Sequence, residues 1–158
     1  MAVIALDRMP DALPTSRRLM GLDVGTKTIG LAVSDALLGL ATPLQTIRRN
    51  KFAPDAQQLF ALADRYEVGG LIVGLPLAMD GSEGPRCQSV RQFAANLLAI
   101  RDLPLAFQDE RLSTVAVERM MIDDADLSRA KRAQAIDRAA AAYILQIALD
   151  RLAQLRRS

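Results

Sequence analysis

A chain of 158 residues, 51% hydrophobic and 24% charged, suits a single domain with a core of its own. It contains no histidine and one cysteine, Cys87, which excludes Ser-His-Asp and Cys-His catalysis, imidazole zinc sites, cysteine-cluster metal sites and any internal disulfide. A bound metal would have to sit on oxygen ligands, which suits Mg²⁺ or Mn²⁺, and a formal charge of only +2 does not by itself announce a nucleic-acid partner.

Residues 1–17 carry Pro10 and Pro14 and show no apolar period, so a flexible N-terminal extension is expected. Its charges do not form the basic start and apolar core of a secretory signal. No apolar run reaches the length of a membrane span. With the lone cysteine, these features fit a cytoplasmic protein. Residues 18–158 are expected to form one domain. Residues 18–24 and 28–34 read as strands joined by the hairpin Gly25-Thr26-Lys27, and 41–48 as a third strand with Pro43 tolerated at a sheet edge. Helical spacing runs from Pro54 to Tyr66, with Gly69-Gly70 as its stop. Leu71-Ile72-Val73-Gly74-Leu75 is a short continuous apolar run, the mark of a buried parallel strand. A loop over 76–85 leads into a helix whose buried stripe holds Cys87, Val90, Phe93, Ala94 and Leu97. Leu103 to Gln108 form a fifth strand. Ser113 or Thr114 can cap a helix running to Met121, and 123–128 is polar. A last helix spans 129–155, with a stripe of Ala133, Ile136, Ala140, Ile144 and Ile147. The order β-β-β-α-β-α-β-α-α predicts an α/β protein: a mixed five-stranded sheet flanked by helices, in the order expected of a ribonuclease H-like fold.

Asp23 lies among Leu19, Met20, Leu22 and Val24. A carboxylate inside such a strand is costly unless paired, hydrogen-bonded or bound to metal. Glu110 closes the fifth strand, and strand alternation turns its neighbour Asp109 to the opposite face. Asp137 sits at the edge of the last helix's apolar stripe. The three acids converge if strands one and five lie side by side and the last helix packs over their ends. Their mutual repulsion would then be relieved by divalent cations, and two such ions can cut a phosphodiester without histidine. Several basic residues are placed to meet phosphate. Lys27 follows the Asp23 turn, although an exposed hairpin lysine would look the same. Arg86 ends the loop over 80–86. Arg111 can clamp a phosphate or pair with an acid, and Lys131 and Arg132 begin the last helix.

Four blocks in order resemble the YqgF family of pre-16S rRNA nucleases, also described as Holliday-junction resolvase-like proteins. They are Gly21-Leu22-Asp23-Val24-Gly25 through Ser34-Asp35; Val73-Gly74-Leu75-Pro76 with Asp80 to Arg86; Asp109-Glu110-Arg111-Leu112-Ser113-Thr114; and Ile136-Asp137-Arg138-Ala139-Ala140-Ala141 with Ile144-Leu145-Gln146. The resemblance covers residues 19–152 and implies a ribonuclease H-like fold. It also implies metal-dependent nuclease activity that processes the 5′ end of pre-16S rRNA in the cytoplasm, on or near a ribosomal particle. Asp23, Glu110 and Asp137 fall on the family's acidic positions. Asp123-Asp124-Ala125-Asp126 is more acidic than the basic stretch the family shows there.

Three other readings compete. A resolvase would cut four-way DNA with the same site chemistry, and a homodimer with paired sites would suit it. A non-catalytic RNA-binding assembly module would keep its function without Asp23. An actin-like ATPase shares the look of Asp23-Val24-Gly25-Thr26, but it needs two such domains.

Overall fold

The computed structural model describes residues 3–15, 17–111 and 129–157. Five strands form one mixed sheet: β1 (Arg18–Val24), β2 (Thr28–Ser34), β3 (Ala41–Arg48), β4 (Val68–Leu75) and β5 (Leu105–Asp109). Their order is β3-β2-β1-β4-β5, with β1-β2 and β2-β3 antiparallel and β1-β4 and β4-β5 parallel. The first three strands have the bounds expected from their alternation. Pro43 lies on edge strand β3 opposite Ala32, beside a register shift, where its missing N–H costs no ladder bond.

The helices are a short α1 (Met9–Ala12), α2 (Phe52–Arg65), α3 (Pro85–Ile100) and α4 (Arg129–Arg157). Residues 112–128, which include the expected helix from Ser113 or Thr114 to Met121 and the polar stretch 123–128, lie outside the described residues. One face of the sheet presents Met20, Leu22, Val24, Ile29, Leu31 and Val73 to α2 and α3, with Cys87 and Phe93 in the same core. The other face holds Leu19, Ala32, Ile72 and Ala106 against α4. Gly21, Gly30 and Gly74 lie on that second face, and a Cβ on any of them would run into α4, so α4 lies close on it. The buried stripe of α4 is Ala140, Ala141, Ile144, Leu145, Ala148, Leu149 and Leu152. It is turned by about one position from the expected stripe: Ala133 is exposed and Ile147 half-buried. The turn puts Asp137, Ala141, Leu145 and Leu149 on one line at a spacing of four, so Asp137 heads the sheet-facing row. Each large aliphatic side chain buried there stabilises the contact by roughly 2 kcal/mol.

Two further expectations change. Gly69 and Gly70 belong to β4 and do not end the preceding helix; the stop comes at Glu67, which takes φ +56°. The glycines matter for packing, because a Cβ on Gly70 would stand 3.0 Å from Met9 Sδ and 2.9 Å from Leu19 Cδ2. The N-terminal segment, expected as a loose extension, is seated on the sheet. Val3 bridges Leu105, Ile4 N donates to Leu105 O at 2.8 Å, and Met9 is fully buried in the α4-side core. Met9 is its one fully buried anchor, with Ile4, Leu6 and Leu13 packed beside it, and their spacing follows no period that would mark them in the sequence. Met9→Ala is expected to cost about 2–3 kcal/mol in urea denaturation. A loss below about 0.5 kcal/mol would mean that the segment is not docked in solution.

Candidate active site

Asp23 is the only acid in β1, and its side chain points to the α4 face. Its partner across the β1-β2 ladder is Gly30. A Cβ on Gly30 would run into the backbone carbonyl of Asp137, so the missing side chain lets α4 come down onto the strand pair beside Asp23. Thr28, two residues before Gly30 on the same face, donates its hydroxyl to Asp137 Oδ2 at 2.7 Å and fixes that carboxylate. The charge on Asp137 reaches Asp23.

Glu110 approaches from the other side. Strands one and five are not side by side, the condition set for convergence, because β4 runs between them. The acids meet because β4 carries Gly74 at this level, next to Val73, the partner of Leu22. A Cβ on Gly74 would clash with Glu110 Oε2 and stand 2.7 Å from Ile144 Cδ1. Glu110 thus lies across the bare backbone of β4 and faces Asp23. As alternation predicts, Asp109 turns away, and it pairs with Arg111 at 2.7 Å.

The electrostatics follow from this crowding. No N–H or hydroxyl among the described residues reaches the buried Glu110 Oε2. Burial, then the charge of Asp23 and a hydrogen bond to it, push the Glu110 carboxyl up to about 8. Burial also raises Asp23, opposed by the hydrogen bond from Glu110, with the charge of Asp137 adding to the rise. Burial and the neighbouring charge thus favour a proton on Glu110, shared with Asp23. Arg86 lowers both acids by its charge, and its Nη2 donates to Val24 O at 3.1 Å. Asp23 and Glu110 therefore meet directly, while Asp137 stands close by but is tied to Thr28. Among the described residues no three acids stand close enough together, as they are, to hold one ion.

The basic residues separate. Arg86 lies beside the acids. Lys27 is exposed in the β1-β2 turn, where its carbonyl accepts the Arg49 N–H at 2.8 Å. Arg111 takes the ion-pair alternative, with Asp109, and donates to Met79 O at 3.2 Å. Lys131 is exposed and Arg132 half-buried, in the first turns of α4 ahead of Asp137. Sequence reasoning passed over Thr28, Arg49 and Gly74. Gly74 left a trace, as a glycine inside an otherwise apolar strand; Thr28 and Arg49 left none.

Comparison with known proteins shows the family and the fold. Residues 17–151 match the family model described as "RuvX: Holliday junction resolvase". A protein of Rhodospirillum rubrum named "Putative pre-16S rRNA nuclease" is 59% identical over 156 residues, covering 99% of this chain and 97% of its own. A protein of Paramagnetospirillum magneticum with the same name is 56% identical over 150 residues, covering 95% and 96%. Among solved structures, the yeast mitochondrial Holliday junction resolvase shares the fold with a TM-score of 0.55 at 14% identity, over 96% of this chain and 86% of that one. The fold is thus the ribonuclease H-like fold of the resolvases.

Proposed function

We propose that this chain, which belongs to the RuvX family described as Holliday junction resolvase, cleaves phosphodiester bonds at the 5′ end of pre-16S rRNA in the cytoplasm, with Mg²⁺ or Mn²⁺ held by Asp23, Glu110 and Asp137. Family and relatives make the chain a nuclease, a hydrolase of phosphodiester bonds. Among the described residues no helix is long and apolar enough to cross a membrane.

The observation that carries the reading is the half-buried Asp23–Glu110 pair with the orphaned, buried Glu110 Oε2. Two crowded carboxylates fit a hard divalent cation, which would satisfy the orphaned oxygen and relieve the repulsion. Such a cation, when bound, polarises the phosphodiester and lowers the pKa of water. The chain's own residues prepare the site for it. Glu110 keeps its proton near neutral pH in the metal-free protein and releases it on loading. Thr28 fixes the Asp137 carboxylate, whose charge reaches Asp23. Arg86, anchored on the carbonyl next to Asp23, offers its remaining N–H groups to a phosphate oxygen. With no histidine in the chain, proton transfer falls to carboxylates.

The test is cleavage of a labelled precursor rRNA fragment and of a four-way DNA junction, each with Mg²⁺ or Mn²⁺ and with EDTA. Wild type should cut the RNA only with metal, and Asp23→Asn should lose the activity. Cutting that survives in Asp23→Asn would remove Asp23 from the site. The family's description and the shared resolvase fold favour a second reading, junction resolution, and preferential cutting of the four-way DNA would select it.

A further inference from the structure

Just beyond the C-terminal end of β1 lies a cavity of about 380 Å³ whose polar lining includes Thr26, Arg49, Asn50, Arg86 and Ser89, with no acid among its lining residues. Two guanidinium groups are fixed in it by two consecutive carbonyls of the turn that follows Asp23. Arg49 Nη1 donates to Gly25 O at 2.6 Å, and Arg86 Nη2 donates to Val24 O at 3.1 Å. Arg49 also stacks over the Phe93 ring, 5.2 Å from its centroid, and Phe52 braces that ring edge-on at 5.5 Å. Among the described residues neither arginine forms a salt bridge. A guanidinium has five N–H donors, so each arginine keeps most of its donors after bonding one carbonyl. Arg49, rigidly held, outside any salt bridge among the described residues and set in a concave site beside Arg86, suits a tetrahedral oxyanion. The cavity also adjoins the acids, because Arg86 belongs to both.

We propose that this cavity receives a phosphodiester of the bound nucleic acid close to the one that is cut, and that Arg49 is the residue that holds it there. The assignment rests on the nuclease reading above for its ligand. Arg49 is a positioning residue: it fixes where the strand lies, and through that which bond comes to Asp23 and Glu110. The β3–α2 connection thereby becomes part of the substrate path, a role its sequence does not advertise.

Two measurements test this. In the first, the metal-free protein is titrated with inorganic phosphate while the arginine Nε–Hε signals are followed by NMR. The Arg49 and Arg86 signals should shift and saturate. The apparent Kd should rise about tenfold or more in Arg49→Gln, and likewise in Ser89→Glu, which places a negative charge on an exposed position of the rim without disturbing the packing of Arg49. Shifts that are absent, or an apparent Kd that both variants leave at the wild-type value, overturn the proposal. In the second, a fluorescein-labelled precursor rRNA fragment is titrated at several salt concentrations. Arg49→Gln should bind about tenfold more weakly, with the log–log salt slope smaller by about one. Unchanged affinity and slope would put the cavity off the strand path and overturn the proposal even if phosphate enters. Failure of the nuclease reading itself looks different: wild type neither binds nor cuts RNA or four-way DNA while the phosphate shifts persist, which overturns the strand assignment.

Discussion

Glu110→Gln is expected to abolish cleavage and, in the same protein, to raise the melting temperature of the metal-free form. Glutamine keeps the shape of the side chain and removes a carboxyl that burial and Asp23 push up to about 8. In the unfolded chain this group titrates near its ordinary value of 4.5. The folded state therefore binds more protons than the unfolded state between those two values. The contribution of Glu110 to stability is present below about 4.5 and is lost as pH rises toward 8. Wild type should thus weaken across that window, and Glu110→Gln should show a flatter profile. At pH 8 the variant is expected to gain on the order of 2 kcal/mol, about 5 °C for a chain of this size. Cleavage should fall about a hundredfold or more if Glu110 is the metal-holding carboxylate proposed above. Mg²⁺ or Mn²⁺ should stabilise wild type, more at pH 8 than at pH 6, and EDTA should remove that gain; the variant should respond little. Calorimetry with and without metal decides the matter. A lower melting temperature in Glu110→Gln would show that the carboxyl is part of the structural core and not a strained functional group.

Gly74→Ala should also silence the enzyme, but with stability moving the opposite way. The added methyl would occupy space that Glu110 Oε2 now fills and would press on Ile144 Cδ1 at 2.7 Å. The Ile144 end can give by a rotamer change, but the backbone of β4 is paired on both sides and cannot. Glu110 must therefore leave its place facing Asp23. A displacement of about 1 Å at a reacting group is enough for a hundredfold loss in rate, and overpacking costs about 1–3 kcal/mol in stability. Rates on the precursor RNA, set beside urea denaturation, separate the two variants: both lose activity, and only Gly74→Ala loses stability. Near-normal cutting by Gly74→Ala would mean that Glu110 does not work from across β4.

Much of this protein was written in local pattern. The strands over 18–24, 28–34 and 41–48 follow from period-two alternation and a short glycine hairpin, and Pro43 announced an edge. The same alternation separated Glu110 from Asp109, the absence of histidine pointed to carboxylate chemistry, and the four family blocks located the three acids. What the chain could not state locally was adjacency. That β4 lies between β1 and β5, and that Glu110 therefore needs the bare backbone of Gly74 to reach Asp23, depends on parallel pairing between segments some fifty residues apart. The tie from Thr28 to Asp137 spans 109 positions, and the bond from Arg49 to Gly25 spans 24. The seat of Met9 against Gly70 joins the N-terminus to the sheet in the same way. Side-chain periodicity reports which face of an element is buried, and only the packed tertiary structure determines which faces meet and which glycines leave room for a carboxylate.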